Sequence, residues 1–112
     1  MTSNKSKGTD FETRVRRYLN ELGIDAYRPY ASGLRDTGDL HGVDPFTVQL
    51  KSYRNITDGI REGLAGAERQ KKAAGQPYGA AIVARPGRGA AEAYVVMHLD
   101  TFADIIHQLR CE

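Results

Sequence analysis

Gly38-Asp39-Leu40-His41-Gly42-Val43-Asp44-Pro45-Phe46-Thr47-Val48-Gln49-Leu50-Lys51 reads as two strands around a tight turn. Asp39-Leu40-His41 makes a short strand. Gly42 to Pro45 supplies the turn chemistry. Phe46 to Tyr53 follows, rich in β-formers. The pair predicts an antiparallel hairpin. Gln49 and Lys51 alternate on one strand, so they share a face, and the hairpin brings Asp39 beside them. A carboxylate, an amide and an ammonium converging on one face make a poor core, because burying such groups is expensive unless they are paired or bind a cation. They suit a divalent metal held next to a phosphate. Asp39 offers a hard oxygen ligand, Gln49 a neutral one, and the backbone carbonyl of Leu50 a third. Lys51 can steady a water nucleophile or the charge developing on phosphorus. Each residue also has a plainer reading. Asp39 after Gly38 can be a turn residue, and Lys51 can guard a strand edge against aggregation.

Upstream, Thr9 or Asp10 can cap a helix running to about Leu22 and closed by Gly23. Phe11, Val15, Tyr18, Leu19 and Leu22 form its apolar stripe. Arg14, Arg16 and Arg17 lie off that stripe. Glu12 sits at its edge, where a carboxylate is partly buried or points into a neighbouring cleft. Its plainer role is a first-turn acid favoured by the helix dipole. Residues 1–8 read as a flexible basic arm before a single domain of residues 9–112. Ile24 to Tyr30 reads as a first strand, and 31–38 as a polar, glycine-containing loop.

Downstream, Thr57 or Asp58 caps a second helix to about Ala74, ended by Gly75 and Pro77. Its apolar positions are Ile60, Leu64 and the small Ala65, Ala67, Ala73 and Ala74, which permit close approach to a sheet. Tyr78 to Ala84 is nearly continuously apolar, as for a strand covered on both faces. Arg85 to Gly89 is a basic loop and Ala93 to Leu99 another strand. Asp100 caps a last helix with Phe102, Ala103, Ile105, Ile106 and Leu109 facing inward. The resulting order is α-β-β-β-α-β-β-α.

The chain has 112 residues, with 40% hydrophobic and 27% charged, which fits one globular domain and not a disordered chain. No apolar run approaches the roughly 18 residues of a membrane span. The polar N-terminus has no apolar signal region, and the lone Cys111 suits a reducing compartment, so a cytoplasmic location without membrane contact is expected. A formal charge of +2 is too small to announce a nucleic-acid binder. The clusters Lys5/Lys7, Arg14/Arg16/Arg17, Arg69/Lys71/Lys72 and Arg85/Arg88 say more, although solvated helix faces would look the same. His107 and Cys111 have zinc-compatible spacing on the last helix, but two ligands are not a site.

Gly38-Asp39 followed by Gln49-Leu50-Lys51 resembles the PD-(D/E)xK nuclease motif, with Gly for Pro and Gln for the usual acid. Lys7-Gly8-Thr9-Asp10-Phe11-Glu12 is similar to the start of archaeal-type Holliday junction resolvases, and Arg28-Pro29-Tyr30-Ala31-Ser32-Gly33 is similar to their loop. The resemblance covers residues 7–53 by motif and the rest only by element order. It implies an α/β restriction endonuclease-like fold, with a central mixed five-stranded sheet flanked by helices. It also implies Mg²⁺-dependent phosphodiester hydrolysis, with Mn²⁺ as a substitute, by a homodimer acting on branched DNA such as a four-way junction. Glu12, Asp39, Gln49 and Leu50 would then hold the metal, with Ser32 and Lys51 beside them. Lys5, Lys7, Arg14, Arg17, Arg35, Lys71 and Lys72 would hold the DNA backbone, and Gln70 would face the cleft. Two alternatives stay open: a duplex or repair nuclease of the same fold, and a nuclease-like protein kept for DNA binding alone.

Overall fold

The computed structural model describes residues 4–29 and 39–111, with side chains described from Gly8 onward. Three helices and three strands follow in the order α1 (Asn4–Glu21), β1 (Phe46–Lys51), α2 (Ile56–Ala74), β2 (Tyr78–Val83), a short 3₁₀ turn (Ala90–Glu92), β3 (Tyr94–Val96) and α3 (Leu99–Arg110). The fold is α/β, and its mixed sheet has the order β1-β2-β3. β1 and β2 are parallel, with Gln49 opposite Ala81 and Lys51 opposite Val83. β3 returns antiparallel to β2.

β2 is central and almost wholly buried, which explains its apolar sequence. Alternation along the two parallel strands sorts the side chains onto two faces. Gly59, Gly63 and Gly66 of α2 lie against Lys51, Gln49, Ala81 and Val83. On the opposite face, Leu50 and Ile82 pack against the buried cluster of Phe11, Val15, Ala26 and Leu40. α1 therefore covers one face and α2 the other.

The approach of α2 depends on its glycines. A Cβ on Gly63 would stand 2.9 Å from the Ala81 Cβ and 3.0 Å from the Lys51 Cγ. The buried positions of this helix are Gly59, Gly63, Gly66, Ala67 and Gln70, whereas the expected Ala65 and Ala73 are exposed. Asn55, rather than Thr57 or Asp58, caps the helix by accepting a hydrogen bond from the Asp58 N–H at 3.3 Å. Gly75 closes it in the left-handed conformation, as its position after the last lysines predicts.

The expected five strands are three among the described residues. Ile24–Tyr30 and Asp39–His41 contribute isolated antiparallel bridges, Tyr27 to His41 and Leu40 to Val48. The second bridge has the antiparallel sense expected of the hairpin. Pro29 has no N–H to continue a ladder, and Asp39–His41 is too short to sustain one. The connecting turn requires Gly42. Its φ is +81°, and a Cβ there would fall 2.1 Å from the Asp25 carbonyl oxygen.

α1 begins at Asn4, ahead of the expected Thr9 or Asp10 cap, so residues 4–8 continue the helix and are not an arm. Glu12 is consequently mid-helix, which removes its helix-dipole reading. α3 also differs from expectation. His98 precedes it without a side-chain cap, and Thr101 is its buried residue. Phe102 and Leu109 are exposed. The Tyr78 hydroxyl donates a hydrogen bond to Asp104 of α3, and this bond raises the phenol pKa, with desolvation adding to it. No helix among the described residues is long and apolar enough to cross a membrane.

Candidate active site

Asp39 lies along the outer edge of β1. Its N–H donates to the Val48 carbonyl at 2.8 Å, and its Oδ2 accepts from the Leu50 N–H at 2.7 Å. The carboxylate thus takes a hydrogen bond from an edge amide that β2 cannot reach. A hydrogen bond to a carboxylate is stronger than one between neutral groups. It fixes Asp39 against the strand that carries Gln49 and Lys51.

Gln49 is 6% exposed, and its Nε2 donates to Oε1 of Gln70, itself 7% exposed. The cross-sheet pair places α2 over β1 and satisfies two amides that would otherwise be buried at a cost. Gly66 makes room for it, with its would-be Cβ 3.4 Å from the Gln49 Oε1. Lys51, next but one on the strand, runs its stem under Gly59 and Gly63. Its Nζ stands 5.4 Å from the Tyr53 ring centroid. Asp39, Gln49 and Lys51 are therefore gathered around the second half of β1.

Glu12 comes from the other face. Its neighbour Phe11 packs with Leu40, which adjoins Asp39, and with Leu50, which separates Gln49 from Lys51. The shared cluster brings the four positions into one region. The Glu12 carboxylate is 12% exposed and ion-paired, to Arg16 Nε at 3.6 Å and to Arg28 Nε at 3.7 Å. Arg28 itself is largely exposed.

The donor set fits a divalent cation in part. Asp39 keeps its second oxygen beyond the Leu50 contact, and the bond from Gln49 Nε2 leaves Oε1 as a free-facing acceptor type. Glu12 would have to exchange an arginine for the metal. Among the described residues no three His, Cys, Asp or Glu side chains form a metal-sized group. The expected set has only two carboxylates, with an amide in the third place.

Of the other expected residues, Ser32 and Arg35 lie outside the described residues. Lys5 and Lys7 fall in α1, but their side chains also lie outside them. Arg14 and Arg17 are exposed on α1, and Lys72 on α2. Lys71 is tied to Glu68 Oε1 at 2.7 Å. Lys71 and Lys72 belong to the last turn of α2. Because α2 runs antiparallel to β1, that turn lies at the Phe46 end, about 16 Å along the strand from Lys51. They are not brought together with Arg14. His41 packs edge-on to Tyr27, with centroids 5.7 Å apart.

Two features escaped the sequence reading. The Gly59-Gly63-Gly66 face was legible as small residues at helical spacing, but the alanines drew the attention. Arg54, Arg85 and Arg88 share an open cleft with Arg14. They are distant in sequence, and only the parallel pairing of β1 and β2 unites them. Comparison of the chain with protein-family models, with curated proteins and with solved structures finds no match.

Proposed function

We propose that this protein is a metal-dependent endodeoxyribonuclease with a restriction endonuclease-like fold, acting on branched DNA as a homodimer in the manner of a Holliday junction resolvase. The observation that supports this most is the Asp39 carboxylate, hydrogen-bonded to the Leu50 amide between Gln49 and Lys51. Asp39, Glu12, the Gln49 amide oxygen and the Leu50 carbonyl would hold Mg²⁺, or Mn²⁺ in its place. A bound divalent cation supplies charge neutralisation at the scissile phosphate and a more acidic water. Lys51 contributes a fixed positive charge beside that phosphate, and its stem is held by the glycine face of α2. The five-stranded sheet of this fold class would need residues 24–41 to pair beyond the two bridges. Cleavage of a four-way junction with and without Mg²⁺ tests the proposal, with flap and duplex substrates alongside. Metal-dependent nicking of the junction is the expected result.

A second reading is favoured by the Gln49–Gln70 hydrogen bond. It gives Gln49 a structural role, joining α2 to the sheet, and leaves the site short of acid. In that reading the chain is a nuclease-like DNA-binding protein without catalysis. Junction binding without cleavage at any Mg²⁺ concentration would select it.

A further inference from the structure

At the carboxyl ends of the parallel strands, β1 and β2 send their continuations to opposite faces of the sheet. The chain after β1 turns into α2, and the chain after β2 leads to the 3₁₀ turn, which rests on α1. Such a divergence leaves a crevice beyond the strand ends. Here it is an open cleft of about 630 Å³, lined by Asp10 and Arg14 of α1, by Ser52, Tyr53 and Arg54, and by the loop from Ala84 to Arg88.

Its charge is one-sided, with Arg14, Arg54, Arg85 and Arg88 against the single carboxylate of Asp10. Little within the protein cancels it. Arg85 donates to the Glu92 carbonyl at 3.3 Å and lies 4.7 Å over the Tyr94 ring, and neither partner carries a negative charge. Arg14 lies over the Phe11 ring at 5.8 Å. Arg88 pairs with Glu92 at 3.4 Å, but both side chains are half exposed, and such pairs contribute little. Holding like charges together in one cleft is unfavourable unless an anion enters it. Its size exceeds a lone phosphate and falls within the range of sites for larger ligands. Tyr53 adds an aromatic wall, and the Lys51 ammonium stands on the same ring.

We infer that this cleft binds the phosphodiester backbone of a nucleic-acid strand, separately from Asp39 and Gln49, with Arg54, Arg85 and Arg88 as phosphate contacts beside Arg14. The identification of the polyanion as nucleic acid rests on the proposed nuclease reading. The binding itself requires neither metal nor hydrolysis. The rigid Arg85, held between a carbonyl and a ring, fixes one phosphate. Arg54 and Arg88 neutralise its neighbours, and Tyr53 faces sugar or base. An arginine cleft opening at the strand end that carries Lys51 would lead a bound strand toward that residue.

The test is fluorescence anisotropy of short labelled single-stranded and duplex DNA, without divalent metal, over a range of salt. The parent is compared with Arg54→Ala/Arg85→Ala/Arg88→Ala, with Arg85→Lys, and with Arg110→Ala as a charge control outside the cleft. The triple variant should bind more weakly. Its log affinity against log salt should flatten by about 0.7 unit per arginine on single strands and about 0.9 on duplex. Whichever form shows the larger change is the form the cleft takes. Arg85→Lys keeps the charge and should retain the slope, which separates lost contacts from lost folding. An unchanged slope in the triple variant, or an equal change per charge in Arg110→Ala, overturns the inference. Displacement of the DNA by inorganic phosphate at equal affinity also overturns it, by assigning a small-anion site. A lack of cleavage with Mg²⁺ refutes the nuclease reading while leaving this slope comparison intact.

Discussion

The two faces of β1 carry opposite chemistry. Toward α1, Val48 and Leu50 meet Phe11, Val15 and Leu40, an ordinary apolar contact that holds the helix to the sheet. Toward α2, Thr47, Gln49 and Lys51 stand in a row under a helix whose contact surface is glycine, alanine and glutamine. The first face gains stability from apolar burial. The second gives some of that up. The Thr47 hydroxyl is 1% exposed and without a hydrogen-bond partner among the described residues, and the two glutamines satisfy each other. A face that costs stability to keep polar is where a function is sought. Substitutions on the two faces should therefore separate activity from stability.

The largest effect falls on the polar face. Lys51→Ala should lower junction cleavage by about three orders of magnitude, because groups that act as a unit fail together. Binding to the same junction and the unfolding midpoint should stay near those of the parent. Gel assays for cleavage and binding, with a denaturant curve, check this.

On the apolar face the pattern reverses. Leu40 is 1% exposed at the centre of the α1 cluster. Leu40→Ala should destabilise the fold by about 2–5 kcal/mol, read from urea unfolding. Cleavage per folded molecule should change far less than with Lys51→Ala. Equal damage to activity from both would erase the distinction between the faces.

Gly63→Ala probes the spacing of α2 over the polar row. The new methyl meets Ala81 at 2.9 Å and the Lys51 Cγ at 3.0 Å. Overpacking costs about 1–3 kcal/mol, against a helix-propensity gain of about 1 kcal/mol, so a modest net destabilisation is expected. Gly8→Ala on α1, whose Cβ would meet nothing within 4 Å, should instead be neutral or stabilising. Thermal melts of the two variants compare the sites.

The smallest effect concerns Gln49. An acid there adds a negative charge to the metal donors, while alanine removes a donor. Gln49→Glu should lower the Mg²⁺ concentration for half-maximal cleavage several-fold, and Gln49→Ala should raise it. Titration at saturating DNA reads both. If neither moves the midpoint, Gln49 serves α2 attachment alone and the non-catalytic reading gains.

The parallel core was legible because its signals are local. β2 is an unbroken apolar run, and Gly75 ends α2 where it should. The gathering of Asp39, Gln49 and Lys51 followed from alternation and one turn. Other parts depended on tertiary contact. The sheet-facing side of α2 was misread because glycine carries no apolar signal, although here its lack of a side chain is what the packing uses. The inward stripe expected on α3 is largely exposed, since amphipathic spacing does not say whether a partner surface is present. The bond between Gln49 and Gln70 joins two elements that no sequence period connects. The arginine cleft likewise appears only once β1 and β2 lie parallel.

Asp39→Asn tests the central claim most directly. Asparagine retains an oxygen to accept the Leu50 N–H, so the strand edge should hold, while the charge is lost. Binding and cleavage of one four-way junction should be followed together, with Mg²⁺, for parent and variant. The account predicts metal-dependent cleavage by the parent, and near-complete loss of cleavage with binding largely unchanged in Asp39→Asn. Cleavage by the variant at the parental rate would contradict it.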